Sequence, residues 1–197
     1  MIARVEKSQI KTMSRAERGA QTRQRLLEAT IECLGKLGYA RMSTNDVVKK
    51  TGVSRGALAH HFPSKAHLVA EAAAYLINMR IRYTISKFKA IDGGSPDFRI
   101  DIETKWKAYE KWFPANIEFM VASRTDPELR EHFSSAIDRY ARELEEMQMD
   151  TSQHDKIVQY VMGCFIRGLC LERLVNPDEL IDEIFDEFVR IMEVAFP

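Results

Sequence analysis

Among the side chains of this 197-residue sequence, Arg55 has the clearest chemistry to offer. Its guanidinium is a planar fork able to donate in parallel to O6 and N7 of one guanine, a contact worth about 1 to 3 kcal/mol of base discrimination. Lys65 can pair its ammonium with a phosphate, and the hydroxyl of Thr44 can do likewise. Such groups read a duplex only if a rigid unit spaces them, and the stretch that contains them, TNDVVKKTGVSRGALAHHFPSK, has that form. Over 45 to 51, Val47 and Val48 lie on one side of a short helix and Lys49 and Lys50 on the other, with Ser43 or Thr44 as its cap. Gly52 falls where a helix end favours positive φ, Val53 plugs the turn, and Ser54 caps a second helix from Arg55 to near Phe62, where Pro63 closes it. Helix, tight turn, helix is the unit whose second member can lie in a major groove.

Charge supports this reading once the chain is divided. The formal net charge is zero, yet residues 1 to 67 hold thirteen Lys and Arg against five Asp and Glu, a net of +8, leaving −8 on the remainder. A basic head on an acidic body is expected where only the head meets phosphate. Three cysteines without a CxxC pair argue against a disulfide framework and for a reducing compartment. No apolar run is long enough for a membrane span or a signal peptide, so the expectation is a soluble, cytoplasmic protein with no membrane partner.

The elements that position the head follow from apolar spacing. Residues 1 to 16 read as a flexible basic arm, either reaching along DNA or a tail preceding a natural start at Met13. A helix over 18 to 37 carries a buried stripe and stops at Gly38, with Arg23 and Arg25 on its exposed side, so that residues 17–66 form a three-helix head with its own small core. A long helix over 65 to 89 links this head to the body, residues 67–197. IDGGSP, 91 to 96, is a loop signal. Ile102, Trp106, Tyr109 and Phe113 share one helix face that Pro114 must kink or end, and Asp126-Pro127 caps the next helix. Two helices close the chain. The first carries Gly163 and Gly168, where another backbone is expected to come close; the second has an apolar stripe too wide for one contact. Phe165, Gly168, Ile184 and Phe188 are thus candidates for a homodimer interface of four-helix-bundle type. No strand period appears, so the fold class is all-α.

RLLEATIECLGKLGY, STNDVVKKTGVSRGAL and HHFPSKAHLV together resemble the DNA-binding domain of the TetR (tetracycline repressor) family of bacterial transcriptional regulators, over residues 24 to 70. The resemblance implies an obligate homodimer, a three-helix head, a body of six helices and a small-molecule pocket whose occupancy releases a double-stranded operator. It further implies DNA contacts at Thr44, Asn45, Arg55, Gly56, Ala57, His60, His61 and Lys65. The sequence departs from the family at Ala59, where a Tyr usually leans on the phosphate backbone; His60 and His61 stand beside it as substitutes. His61 is read equally as a packed residue of the head, and titration of the pair near neutrality would favour binding at lower pH.

Trp106, Tyr109, Trp112, Phe113 and Met120 are candidates for the walls of that small-molecule pocket, with Arg124, Arg167 or His132 supplying polarity. Ordinary core is the plainer reading for most of them, and Trp112, off the common stripe, is the best candidate for a cavity wall. Cys164 and Cys170 lie about 240° apart around a helix and read as buried packing. No His spacing suits a metal, and no cofactor loop or nucleophile–base pair is visible, so neither a cofactor nor catalysis is expected. Two rivals stay open: a helical ligand carrier or enzyme with a vestigial head, and a sequence-independent DNA-packaging protein.

Overall fold

The computed structural model describes residues 14–89, 98–146 and 153–195. They form eight helices and no strand: α1 Arg15–Arg41, α2 Thr44–Thr51, α3 Arg55–His61, α4 Lys65–Lys89, α5 Phe98–Thr125, α6 Pro127–Glu146, α7 Gln153–Glu172 and α8 Asp178–Ala195. The all-α expectation holds. The IDGGSP loop, the greater part of the N-terminal arm and the methionines near 147–149 lie outside the described residues.

α1 begins earlier than its apolar stripe. The Ser14 hydroxyl accepts from the amide of Glu17 at 3.1 Å while the Glu17 carboxylate accepts from the amide of Ser14 at 2.6 Å, and this reciprocal cap starts the helix inside the stretch read as an arm. Gly38, at φ 75° and ψ 159°, breaks helical geometry where the stripe stops. Asp126 caps α6 by accepting from the amide of Leu129 at 2.9 Å, which leaves Pro127 at the first helical position.

Two expectations are corrected here. Pro114 does not end its helix: α5 runs through it, so the described body has five helices, α4 to α8, rather than six. Packing overrides the lost hydrogen bond, because α1 lies directly against this turn, and a Cβ built on Gly35 would meet the amide nitrogen of Ala115 at 3.3 Å. Nor does the head own a separate core. Leu26, Leu27, Val47, Leu58 and Phe62 belong to one buried cluster with Leu68 and Val69 of α4, Phe119 of α5 and Leu129 of α6. A second cluster joins Phe113 of α5 to Ile166 and Leu169 of α7 and to Ile181, Phe185 and Val189 of α8. Among the described residues no helix is long and apolar enough to cross a membrane.

Candidate nucleic-acid interface

The turn between α2 and α3 is fixed at both ends by local chemistry. Asp46, in the first turn of α2, accepts from the amide and hydroxyl of Ser43 at 2.9 and 2.6 Å. Gly52 ends α2 at φ 70°, in the left-handed region, and its amide donates to the Val48 carbonyl at 2.9 Å. The Ser54 hydroxyl then accepts from the amide of Ala57 at 3.2 Å and starts α3. Val47, Leu58 and Phe62 are buried beneath, so α2 and α3 are held by their inner faces against α1 and α4. From α1, Arg25 donates to the Thr51 carbonyl at 2.7 Å and ties down the end of α2.

The outer face carries the polar groups. Asn45, Lys49, Lys50, Arg55, Gly56, Ala59 and His60 are exposed, while Thr44, Ala57 and His61 are half-buried. Arg55 occupies the first position of α3, at the N-terminal end that enters a groove in helix-turn-helix proteins. Lys50 is paired with Glu32 at 2.7 Å; both side chains are well exposed, so the pair is weak and yields readily to phosphate. Partial burial, then the neighbouring His60 and Arg23, hold the His61 pKa below its ordinary value. His61 is therefore neutral near pH 7, and His60 is the more accessible of the two.

Two cations sit elsewhere than expected. Lys65 is turned inward: its ammonium donates to the Tyr39 carbonyl at 2.5 Å, lies 4.3 Å from the Tyr39 ring centroid, and has its pKa pushed down by burial. It fastens α4 to the end of α1 instead of reaching for phosphate. Arg23 is likewise half-buried rather than exposed, stacked over Phe62 and bonded to Glu71.

Sequence reasoning missed this head–body junction. Glu71, 3% exposed, takes Arg23 of α1 and Arg139 of α6, the latter at 2.6 and 2.7 Å. Tyr39 donates its amide to Glu118 at 2.9 Å and its hydroxyl to Asp126 at 2.6 Å. Burial, then the Asp126 bond, drive its phenol pKa well up. The Ser64 hydroxyl donates to Glu128 at 2.8 Å. The available signal was Glu71 itself, a lone charge inside the apolar run LVAEAAAYL.

The pocket candidates scatter. Trp112 packs against the large core cluster and Phe113 lies in the other, so these neighbours face different cores. Met120 is 51% exposed, the side chains of Trp106 and Tyr109 lie outside the described residues, and His132 belongs to the junction. Arg124 is exposed; Arg167 stacks on Tyr160 and donates to Cys164 Sγ at 2.9 Å. Cys164 is exposed, correcting the reading of a buried thiol, because it lies on the outer face of α7.

Of the interface candidates, Phe165 and Phe188 stack on each other with centroids 3.6 Å apart, while Ile184 is exposed. Among the described residues, nothing beyond its own helix comes within 4 Å of a Cβ built on Gly168, so they make no close backbone approach there. Tyr160, Val161, Leu171, Leu180 and Ile191 extend an exposed apolar face along α7 and α8. Among the described residues, no group of three or more His, Cys, Asp or Glu is arranged to hold a metal.

Residues 26–72 match the family model described as bacterial regulatory proteins, tetR family. The chain is similar to the HTH-type transcriptional regulator CymR of Pseudomonas putida, at 31% identity over 186 residues covering 86% of this chain and 87% of that one. It is also similar to the HTH-type transcriptional repressor AcnR of Corynebacterium efficiens, at 27% identity over 89% and 94% of the two chains. In fold it resembles a transcriptional regulator from Saccharomonospora viridis in complex with choline. That match has a TM-score of 0.59 at 17% identity and covers 87% of this chain and 96% of the other.

Proposed function

The chain belongs to the TetR family of bacterial transcriptional regulators, and from that premise we propose that it works in the cytoplasm as a homodimeric repressor of a palindromic operator, released by a small-molecule ligand in the body. The observation that carries this reading is Arg55, exposed at the first position of α3 on a basic head whose inner face is wholly engaged in packing. Arg55 reads guanine; Thr44, Asn45, Gly56, Ala57 and His60 meet the backbone and neighbouring base edges, with the positive end of α3 directed at phosphate. The apolar outer face of α7 and α8 supports pairing of two copies, which sets their α3 helices one DNA turn apart, about 34 to 36 Å. Likeness to AcnR supports repression, and likeness to the choline-bound protein supports a small-molecule occupant. Ligand acts by tilting α4, which carries the head on its first turns; about 1 to 3 kcal/mol of coupling suffices to change occupancy severalfold.

Gel-shift titration on the DNA upstream of its own gene, at two salt concentrations, tests this together with light scattering for the dimer. Binding that survives competitor DNA, and loses sequence selectivity in Arg55→Ala while the melting temperature stays within about 1 °C of the parent's, is the expected result. Indiscriminate binding would point to packaging, and absence of binding to a carrier with a vestigial head.

A further inference from the structure

Two histidines from different helices meet where the head joins the body. His67 of α4 and His132 of α6 stand edge to face with ring centroids 4.9 Å apart, and His67 also lies 5.8 Å from the ring of Phe62, the residue that closes α3. Every element packed around His67 brings charge. α1 contributes Arg23, and α4 contributes Glu71, 3.9 Å from His67 Nε2. α6 contributes Arg139 and His132, with Glu128 at 3.5 Å from the latter's Nε2. His61 stands beyond the Phe62 ring.

The balance of these charges is uneven. Glu71 is the buried carboxylate of the group, and two guanidinium ions already occupy it. A neutral imidazole at His67 fits such a cluster. A proton on His67 would add a third cation, and its buried Nδ1 has no hydrogen-bond partner to receive one. His132 is differently placed, with the exposed Glu128 carboxylate 3.5 Å from its Nε2.

We propose that this cluster makes the head–body junction acid-sensitive, protonation of His67 pushing α4 away from α1 and α6 and shifting the head that carries α3. The consequence at DNA rests on the regulator reading; the proton dependence of the junction does not. Burial, opposed by Glu71 and reinforced by His132, Arg23 and Arg139, holds the His67 pKa below its ordinary value. Between that value and the unfolded one of about 6.5 the unfolded chain binds more protons, so the junction is fully stabilised above about pH 6.5 and loses stability as pH falls toward the folded pKa.

Histidine side-chain NMR titration of the full chain from pH 8 to 5, assigned with His67→Gln and His132→Gln, measures the junction directly. DNA affinity is followed in parallel on the upstream fragment, in a His60→Gln/His61→Gln background that removes titration on α3. His67 is expected to titrate below the ordinary imidazole range. Affinity is expected to fall about fivefold between pH 7.5 and 5.5, the low end of site-to-site coupling, and His67→Gln to abolish most of that fall. A His67 that titrates normally, or an affinity profile unchanged by His67→Gln, overturns the proposal. If the parent chain, with His60 and His61 intact, does not bind the fragment at any pH, the regulator reading fails, and the His67 titration alone decides the junction.

Discussion

Replacing Glu71 by Ala removes a carboxylate buried where α1, α4 and α6 meet. Its oxygens accept from Arg139 Nη2 at 2.6 and 2.7 Å, and Oε2 also accepts from Arg23. Breaking a buried ion pair by deleting one partner costs about 3 to 5 kcal/mol when the other charge is stranded. Here the two arginine side chains are 35% and 42% exposed and can swing into water, which lowers the expected loss to about 2 to 3 kcal/mol. For a chain of this size that is a fall in Tm of about 4 to 12 °C. Urea unfolding followed by circular dichroism gives the loss directly, provided the slope is unchanged. Arg23→Ala and Arg139→Ala should each cost less than Glu71→Ala, since one guanidinium remains, and each double substitution with Glu71→Ala should depart from additivity by about 0.5 kcal/mol or more. A Glu71→Ala loss under about 0.5 kcal/mol, the size of an ordinary surface change, would show that the arginines do not tie the three helices together.

Two glycines with positive φ separate backbone strain from crowding. Gly52→Ala should cost about 1 kcal/mol from its φ of 70° alone, because nothing among the described residues lies within 4 Å of the added Cβ. Gly38→Ala should cost clearly more, since its Cβ would also stand 2.9 Å from the Glu118 carboxylate that holds the amide of Tyr39; equal losses in denaturant would refute the crowding. Tyr39→Phe should lose about 1.5 to 3 kcal/mol with the hydroxyl that donates to Asp126, measured by the same unfolding midpoints. That hydroxyl, then the amide of Leu129, holds the Asp126 pKa below the usual carboxylate range, so its contribution is complete above about pH 3.9 and is lost as pH falls. The stability of Tyr39→Phe should therefore depend less steeply on pH in that acid range.

The parts of the fold that repeat locally were legible in the chain. Ser54, Gly52 and Asp126-Pro127 mark helix ends through the geometry of one or two residues, and the end of α2 and the starts of α3 and α6 fall within a residue or two of those signals. The apolar stripe of α1 begins later than the helix itself, because the opening turn, RAER, carries none of it and depends on the Ser14–Glu17 cap. At Pro114 the local rule leaves a kink or an end open, and α5 runs on through it where α1 packs closely at Gly35. The pocket candidates are not separable from core along the chain, since an aromatic stripe reads alike whether it lines a cavity or fills a core.

By itself, then, the sequence determined the all-helical class, the reading unit from Ser43 to Phe62 and the charge division between head and body, all of which depend on near neighbours or on composition. Only the tertiary structure decided which cations are available. Arg23, Arg25, Arg55 and Lys65 look equally free along the chain, yet Arg23 is committed to Glu71 across 48 residues and Lys65 to Tyr39 across 26, while Arg55 stays exposed. A charge is committed by whatever carboxylate or carbonyl packing brings within about 3 Å, and that distance is fixed by contacts between helices rather than by spacing along one.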